Sequence, residues 1–252
     1  MVSFVVGLIA FACLFGSAML GMVLRSRLPE HHQSADTQRI VNLGAGIIGT
    51  MAALVLGLLI ASAKGSYDTQ TNELTAMAAK VVLLDHGLTF YGPDAQTSRD
   101  ALRRVVDRTA DELWPAERHS STDPLRARNS GARELYESVV ALSPQDDMRR
   151  AIKTQAIGIV SQLAEQRWLI LQQKRSNVSR PLLVILIFAL AVNFFSFGLF
   201  APQNGTVIAT LCLCALASSS AVFLMMELYH PYGGLIQIPS ATLSSALSQV
   251  SP

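Results

Sequence analysis

The residue types that usually carry out enzyme chemistry are sparse in this chain and form no catalytic pattern. His31 and His32 are neighbours on a polar connection, and adjacent side chains rarely converge on one metal ion. Cys212 and Cys214 stand two positions apart in an apolar run, so on a helix they point to nearly opposite sides. The chain has no glycine-rich phosphate loop, no HExxH motif and no pairing of a nucleophile with a base. We expect neither an enzyme nor a metal or cofactor site.

Charged residues are few and mixed in sign, which argues against nucleic-acid binding. They make up 15% of the 252 residues, and the formal net charge is only +2. The densest group combines both signs: Arg99, Asp100, Arg103, Arg104, Asp107, Arg108, Asp111 and Glu112. A solvated helix face explains this mixture better than a phosphate-binding patch, which needs clustered positive charge.

The most informative pattern is a ladder of small residues in one apolar run. Its members recur at every fourth position: Ala45, Gly49, Ala53, Gly57, Ala61 and Gly65. Such a series lets helix backbones approach closely, and ordinary packing against one neighbouring helix is the simpler interpretation. However, each step of four turns the stripe by about 40°, and the whole ladder by roughly 200°. One straight neighbour cannot cover all of it, whereas a ring of copies with this helix near the axis can.

In such a ring the same helix would line a central pore. The polar candidates for its lining are Asn42, Thr50, Ser62 and Ser66, and the candidates for an apolar constriction are Leu54, Leu58 and Ile60. Another polar residue, Asn193, lies in the middle of a later apolar run. A hydrogen bond between helices is the simpler interpretation of that amide.

Four long apolar runs must position these residues. They cover about 2–24, 41–63, 181–201 and 205–226, and none contains Asp, Glu, Lys or Arg. A helix needs about 20 residues to cross the hydrocarbon of a bilayer. The first run has no basic start and is longer than the apolar part of a secretory signal, so we expect a true span. The absence of deep ionisable groups argues against a proton-coupled transporter or a voltage sensor.

The sequence therefore predicts an all-α integral membrane protein with two membrane hairpins, 1–63 and 181–226. The intervening segment, 64–180, is predicted to be helical and exposed to water. The second span is predicted to continue as one helix from about 37 to 91, interrupted at most near Gly65. The apolar residues that predict one buried face of this continuation are Leu74, Met77, Ala78, Val81, Leu84 and Leu88. The polar stretch Ala116–Ser130 is predicted to be a loop.

Two further helices are predicted after that loop. A short one covers about 132–142. A long one has Ser143 as its N-cap and Pro144 as its first residue, and it runs to about Asn177.

Basic residues that flank the spans predict the topology. Lys64 follows the second run, and Lys174, Arg175 and Arg180 precede the third. By the positive-inside rule, segment 64–180 and both termini lie in the cytoplasm. The tail, 227–252, carries almost no charge after Glu227, so we expect it to dock on the cytoplasmic side rather than hang free in water.

Three segments carry a resemblance to the bacterial bestrophin-like membrane family. They are Ala53–Lys64 with the following Asn72-Glu73-Leu74, Arg180-Pro181 with Phe195–Pro202, and the tail motif Glu227–Leu235. In the tail motif, Glu227, Pro231, Tyr232 and Gly234 match the family pattern, and Tyr229 stands where the family usually has Asp. The likeness extends over nearly the whole chain.

The resemblance implies a four-span protein of the bacterial inner membrane. The family is remotely similar to bestrophins, which are pentameric anion channels with a pore lined by the second span and a cytosolic helical vestibule. The implied partners are the lipid bilayer, further copies of the chain and an inorganic ion. The alternative is a non-conducting membrane scaffold whose cytoplasmic helical domain binds a protein partner.

Overall fold

The structure is a computed structural model that describes residues 2–27, 35–114, 124–173, 180–243 and 245. Its regular elements in these ranges are helical, with no strand. The seven α-helices are α1 (Val2–Arg25), α2 (Ala35–Tyr91), α3 (Gln96–Leu113), α4 (Pro124–Val140), α5 (Asp147–Gln173), α6 (Arg180–Phe200) and α7 (Gly205–Leu228). Four of them, α1, α2, α6 and α7, are long and apolar enough to cross a membrane. The predicted all-α membrane architecture is confirmed.

The chain divides into two compact units. The membrane unit contains Met1–Tyr67, Asn177–His230 and Gly234–Ile236. The helical unit contains Asp68–Ser176, Pro231–Gly233 and Gln237–Pro252.

In the membrane unit, α1 and α6 cross at a pair of glycines. A Cβ atom on Gly21 would lie 2.8 Å from the backbone nitrogen of Leu199. A Cβ atom on Gly198 would overlap the carbonyl oxygen of Ala18. Because these atoms belong to helix backbones, no side-chain rotation can relieve the overlap. Glycine at both positions is therefore a condition of this helix crossing.

The remaining interior of the membrane unit forms two apolar clusters. One joins α1, α6 and α7 through Leu14, Ala18, Met22, Phe194, Leu211 and Ala215. The other joins α2 to α6 and α7 through Ala52, Leu59, Ala63, Leu186, Met225, Met226 and Leu228. The second span thus packs against the C-terminal hairpin along one side.

The second span and its continuation form one helix of 57 residues, about 85 Å long at 1.5 Å per residue. The predicted long helix is confirmed, and Gly65 does not interrupt it. The helix ends where Gly92 adopts a φ of 108°, a conformation that favours glycine. Pro93 then opens a short 3-10 turn before α3.

The helical unit has one shared core. Met77 of α2, Leu102 of α3, Leu135 of α4 and Leu163 of α5 line the same small cavity of about 10 Å³. The apolar positions predicted to form one face of α2 are all buried: Leu74, Met77, Ala78, Val81, Leu84 and Leu88. Sequence spacing alone therefore identified the buried side of this part of α2.

The ion pairs that connect helices of this unit include two with little exposure, those of Arg99 and Arg167. The guanidinium of Arg99 is 2.8 Å from the carboxylate of Asp85, which is 2% exposed. This hydrogen bond raises the pKa of Arg99 above its ordinary value, against the opposing effect of burial. Arg167 contacts Glu112 at 3.0 Å. Arg99 therefore belongs to the interior edge of the unit, and the prediction of a uniformly solvated charged face is wrong at this residue.

Two predicted helix starts are corrected. α4 begins at Pro124, within the stretch predicted to be a loop, because proline is well suited to the first helical position, where no N–H donor is needed. α5 begins at Asp147 rather than at Pro144. The carboxylate of Asp146 accepts the backbone N–H of Arg149 at 2.7 Å, so Asp146 caps the helix in place of Ser143.

Candidate functional site

The second span is the membrane helix that its own chain covers least. In the most apolar stretch of each span, 17% of α2 is buried, against 22% to 28% in the other three. Helices in a bilayer gain little from covering apolar surface, because lipid is as apolar as leucine. The open side of α2 is therefore available either to lipid or to other helices.

The membrane part of α2 has two distinct faces. Ala45, Ala52, Leu59 and Ala63 are buried and recur at intervals of seven, seven and four, which places them on one side of the helix. The opposite side presents large apolar side chains that are 63% to 75% exposed: Leu43, Ile47, Met51, Leu54 and Leu58. We call this opposite side the open face of α2.

The predicted pore-lining residues divide between these faces. Thr50, Leu54, Leu58 and Ser62 are exposed and lie within about 60° of the centre of the open face at 100° per residue. Asn42 and Ile60 lie close to the buried face instead, and Asn42 borders a groove with α6 and α7. Ser66 is half-buried beside the packed side. The structure thus brings four of the seven residues onto one exposed stripe.

The small-residue ladder rotates from the packed side of α2 to its open face. Ala45 is buried, and a Cβ atom on Gly49 would overlap the side-chain amide of Asn193. The later members, Ala53, Gly57, Ala61 and Gly65, are all exposed. At Gly57, apart from the local helix backbone, nothing lies within 4 Å of the position a Cβ would take. Ala45 and Gly49 therefore serve packing within the chain, whereas the four later members occupy exposed positions of the helix.

Asn193 of α6 holds the beginning of the second span. Its Nδ2 donates a hydrogen bond of 2.9 Å to the carbonyl oxygen of Ala45, and the residue is only 6% exposed. Gly49, one turn further along α2, leaves the space that the amide occupies. The contact fixes the rotation of α2 about its axis, which determines the residues on the open face.

Replacing Asn193 with alanine is expected to lower the free energy of unfolding of the membrane unit by about 1 kcal/mol. This is the usual size of a hydrogen bond between membrane helices. Thermal unfolding in detergent would measure the loss. Ser220→Ala is the matched control, because that hydroxyl donates to Leu216 of its own helix. Equal midpoints for the two variants would contradict the assigned role.

The tail motif folds back on the end of α7, where Glu227 contacts residues 234–236. We call this contact the clasp. Glu227 is 3% exposed, and its Oε1 accepts the backbone N–H groups of Leu235 and, at 3.4 Å, of Ile236. A Cβ atom on Gly234 would overlap this carboxylate. The buried carboxylate of Glu227 therefore bonds to tail amides, and Gly234 is required for the approach.

In the helical unit, the tail docks through an aromatic pair. The rings of Tyr232 and Trp114 meet edge to face with centroids 5.6 Å apart. The indole N–H of Trp114 donates to the carbonyl oxygen of Ile238 at 3.0 Å. The backbone N–H of Ile238 donates to the carbonyl oxygen of Pro231 at 2.7 Å. Burial, followed by the negative charge of Glu73, raises the pKa of Tyr232 above its ordinary value.

Replacing Gly234 with alanine is expected to open the clasp. The added methyl group would displace the Glu227 carboxylate and leave a buried polar group without its amide donors. We expect chymotryptic cleavage within 232–243 to become about tenfold faster, because proteolysis follows the population of the open state. Gly233→Ala is the control, since nothing lies within 4 Å of its Cβ position. Equal cleavage rates in the two variants would contradict this role of Gly234.

The remaining sequence candidates contribute no site to the described structure. His31 and His32 lie outside the described residues. Among the described residues, no three His, Cys, Asp or Glu side chains are grouped so that they could hold a metal ion. The pairing of Gly21 with Gly198 was not among the sequence-based predictions. Each helix contributes a single glycine to the crossing, and a glycine does not indicate which helix it meets.

Comparisons with known proteins agree with one another. A family model described as the bestrophin-like domain matches residues 12–243. No curated protein matches the sequence significantly. Three crystal structures of variants of a bacterial bestrophin homologue from Klebsiella pneumoniae share the fold, with TM-scores of 0.64, 0.68 and 0.65. The alignments cover 96% to 97% of this chain and of those chains, at 11% to 14% sequence identity.

Proposed function

This chain belongs to the bestrophin-like family, and we propose that it forms a homo-oligomeric ion channel whose pore is lined by the open face of α2. The observation that carries the proposal is the combination found on that face. Its large apolar side chains are more than 60% exposed, and the small residues Ala53, Gly57 and Ala61 beside them are exposed as well. Bestrophin homologues are oligomeric membrane channels, which supports the same arrangement here.

The small residues favour helices rather than lipid as the missing neighbours. Lipid chains cover large and small side chains equally well, so they give no reason for Ala53, Gly57, Ala61 and Gly65 to follow one another at every fourth position. Close helix contact does give a reason, because small residues let two backbones approach. α2 helices from several copies, packed side by side around an axis, would use this ladder. A pentamer is the arrangement that the resemblance to bestrophins implies.

In that ring, the four residues brought onto the exposed stripe form a short sequence of layers. Thr50 and Ser62 place hydroxyl groups at the two ends, and Leu54 and Leu58 lie between them. Successive layers are about 6 Å apart along the helix. Two leucine layers form a constriction that excludes water when narrow, and the hydroxyls solvate an ion on either side. Leu54 and Leu58 therefore act as the gate of the proposed pore.

We propose that the permeant ion is an anion, by likeness to bestrophins. Ala45 to Ala63 contains no ionisable side chain, so selectivity in this part of the pore would rest on dipoles and width instead of a charged ring. We place the channel in the bacterial inner membrane, with both termini and segment 64–180 in the cytoplasm. The basic residues beside the spans, such as Lys64 and Arg180, support this orientation.

Cysteine crosslinking tests whether the open face meets its own copies. In a chain whose native cysteines are replaced, Thr50→Cys, Leu54→Cys and Leu58→Cys should each form a disulfide-linked dimer under mild oxidation. Val184→Cys, at a site on α6 that is 64% exposed, is the matched control and should remain monomeric. If none of the three α2 variants crosslinks, the open face does not surround an axis and the pore proposal fails.

Anion flux from liposomes that contain the purified oligomer tests conduction itself. We expect chloride release that depends on the protein. The rival function is a non-conducting scaffold, and exposed aromatic side chains in the helical unit favour a protein partner for it. Phe90 is 82% exposed and Trp168 is 63% exposed. Absence of flux in oligomers of confirmed integrity would favour the scaffold over the channel.

A further inference from the structure

A groove in the membrane unit opens between the beginning of α2 and the α6–α7 hairpin. Its volume is about 350 Å³, and it is open to the surroundings. Its lining is of two kinds. The uncharged polar residues of the lining are Gln38, Asn42, Thr206 and Thr210. The apolar residues, which include Phe197 and Phe200, form one wall of the groove. The groove is therefore amphipathic.

The groove lies at one end of the spans, where a membrane helix meets water. Its wall includes Ala201, the first residue after α6 in a turn that continues through the polar residues Gln203 and Asn204. Two hydrogen bonds fix this end of the unit. The guanidinium of Arg25 donates to the carbonyl oxygen of Phe200 at 3.3 Å. The side-chain amide of Gln203 donates to the carbonyl oxygen of Met22, also at 3.3 Å. These contacts place the groove at the end of the α6–α7 hairpin, where its polar residues lie beside its apolar wall.

The charge around this end of the spans is mostly positive. The guanidinium of Arg25 is bonded to a residue of the groove wall itself. Arg39 follows the lining residue Gln38, is exposed, and makes no ion pair within the described residues. From Arg25 to Arg39 the sequence has three arginines, at 25, 27 and 39, and two acids, Glu30 and Asp36. An anionic group is therefore attracted to the polar side.

We propose that this groove binds an anionic phospholipid. The phosphate lies at the polar side, near Arg39 and Arg25, and one acyl chain covers the apolar wall formed by Phe197 and Phe200. A free phosphate would leave the apolar wall uncovered, and water would wet it poorly. This binding site goes beyond the proposed channel function and does not depend on conduction.

Filling the groove tests the acyl-chain part of the proposal. The hydroxyl of Thr210 donates to Thr206 of its own helix, so its removal alone has little effect. Thr210→Trp places a large ring in the groove, whereas Ala209→Trp places the same ring on the next exposed position of α7, outside the lining. In native mass spectrometry of the intact protein titrated with phosphatidylglycerol, wild type and Ala209→Trp should each retain lipid. Thr210→Trp should retain less than about a tenth as much. Equal binding by the two tryptophan variants would overturn the site.

Removing charge tests the headgroup part independently of groove filling. Arg39→Gln should reduce the preference for phosphatidylglycerol over phosphatidylcholine by about fivefold, which is the usual effect of one basic residue near an anionic surface. Arg133→Gln removes the same charge from an exposed position of the helical unit and should preserve the preference. An unchanged preference in Arg39→Gln would overturn the choice of an anionic lipid. A disulfide between two copies of Thr210→Cys would show that another subunit occupies the groove and would also overturn the proposal.

Discussion

Replacing Gly198 with valine is expected to prevent the membrane unit from folding. The first carbon of the new side chain would coincide with the carbonyl of Ala18, and the branched methyl groups would widen the overlap. α1 would have to move away from α6 and give up the cluster around Leu14 and Phe194. Because the obstacle is backbone, we expect a loss of more than about 3 kcal/mol, beyond the usual cost of an overpacked core.

The measurement is the yield of monodisperse protein after extraction, followed by the midpoint of thermal unfolding. Gly16→Val is the matched control, because Gly16 also lies inside a membrane helix and nothing lies within 4 Å of its Cβ position. Valine at position 16 should leave the yield nearly unchanged. If the Gly198 variant extracts and unfolds like the Gly16 variant, the α1–α6 crossing differs from the one described.

Replacing Leu58 with serine is expected to raise anion flux by about tenfold. A leucine layer in a narrow pore repels water, and the ion must shed hydration to cross it. A hydroxyl at the same position admits water and solvates the ion. Lowering the barrier by about 1.4 kcal/mol is enough for a tenfold increase in rate. Leu54→Ser should act in the same direction, since Leu54 lies on the same face one turn earlier.

The control for this prediction is Leu213→Ser. Leu213 lies on α7 and is 67% exposed, nearly the same as the 71% of Leu58, and it is not part of the open face of α2. The same chemical change there should leave chloride flux unaltered. If Leu58→Ser and Leu213→Ser conduct alike, Leu58 is outside the ion pathway even if the protein is a channel.

Much of the fold could be predicted from sequence because its signals are local. Each apolar run is long enough to span a membrane by itself, and the spacing of Leu74, Val81 and Leu88 identified one buried side of α2. The helix starts at 124 and 147 were harder, because proline and acidic residues suit both loops and first helical turns. The start of α5 at 147 depends on Asp146, whose carboxylate accepts the backbone N–H of Arg149.

The candidate site could be predicted from the sequence only in part. The ladder turns around the axis of α2 by about 40° per step, which indicated that one neighbouring helix could not cover all of it. The turn per step did not show which side of α2 faces the rest of the chain. Asn193 supplies that direction by bonding the carbonyl of Ala45. Once α2 is fixed in this way, Thr50 and Leu58 share the exposed side and Asn42 does not. The sequence had treated all of them alike.

The amino-acid sequence by itself determined that this protein crosses a membrane four times and that its second span continues as a long helix. Hydropathy and periodicity carry that information because they add up along the chain, one residue at a time. Only the tertiary structure decided that Gly21 meets Gly198, that Glu227 binds the amides of the tail, and which side of α2 is left open. These contacts depend on how each helix is rotated about its axis. A span that is apolar on every side contains no periodic signal for that rotation.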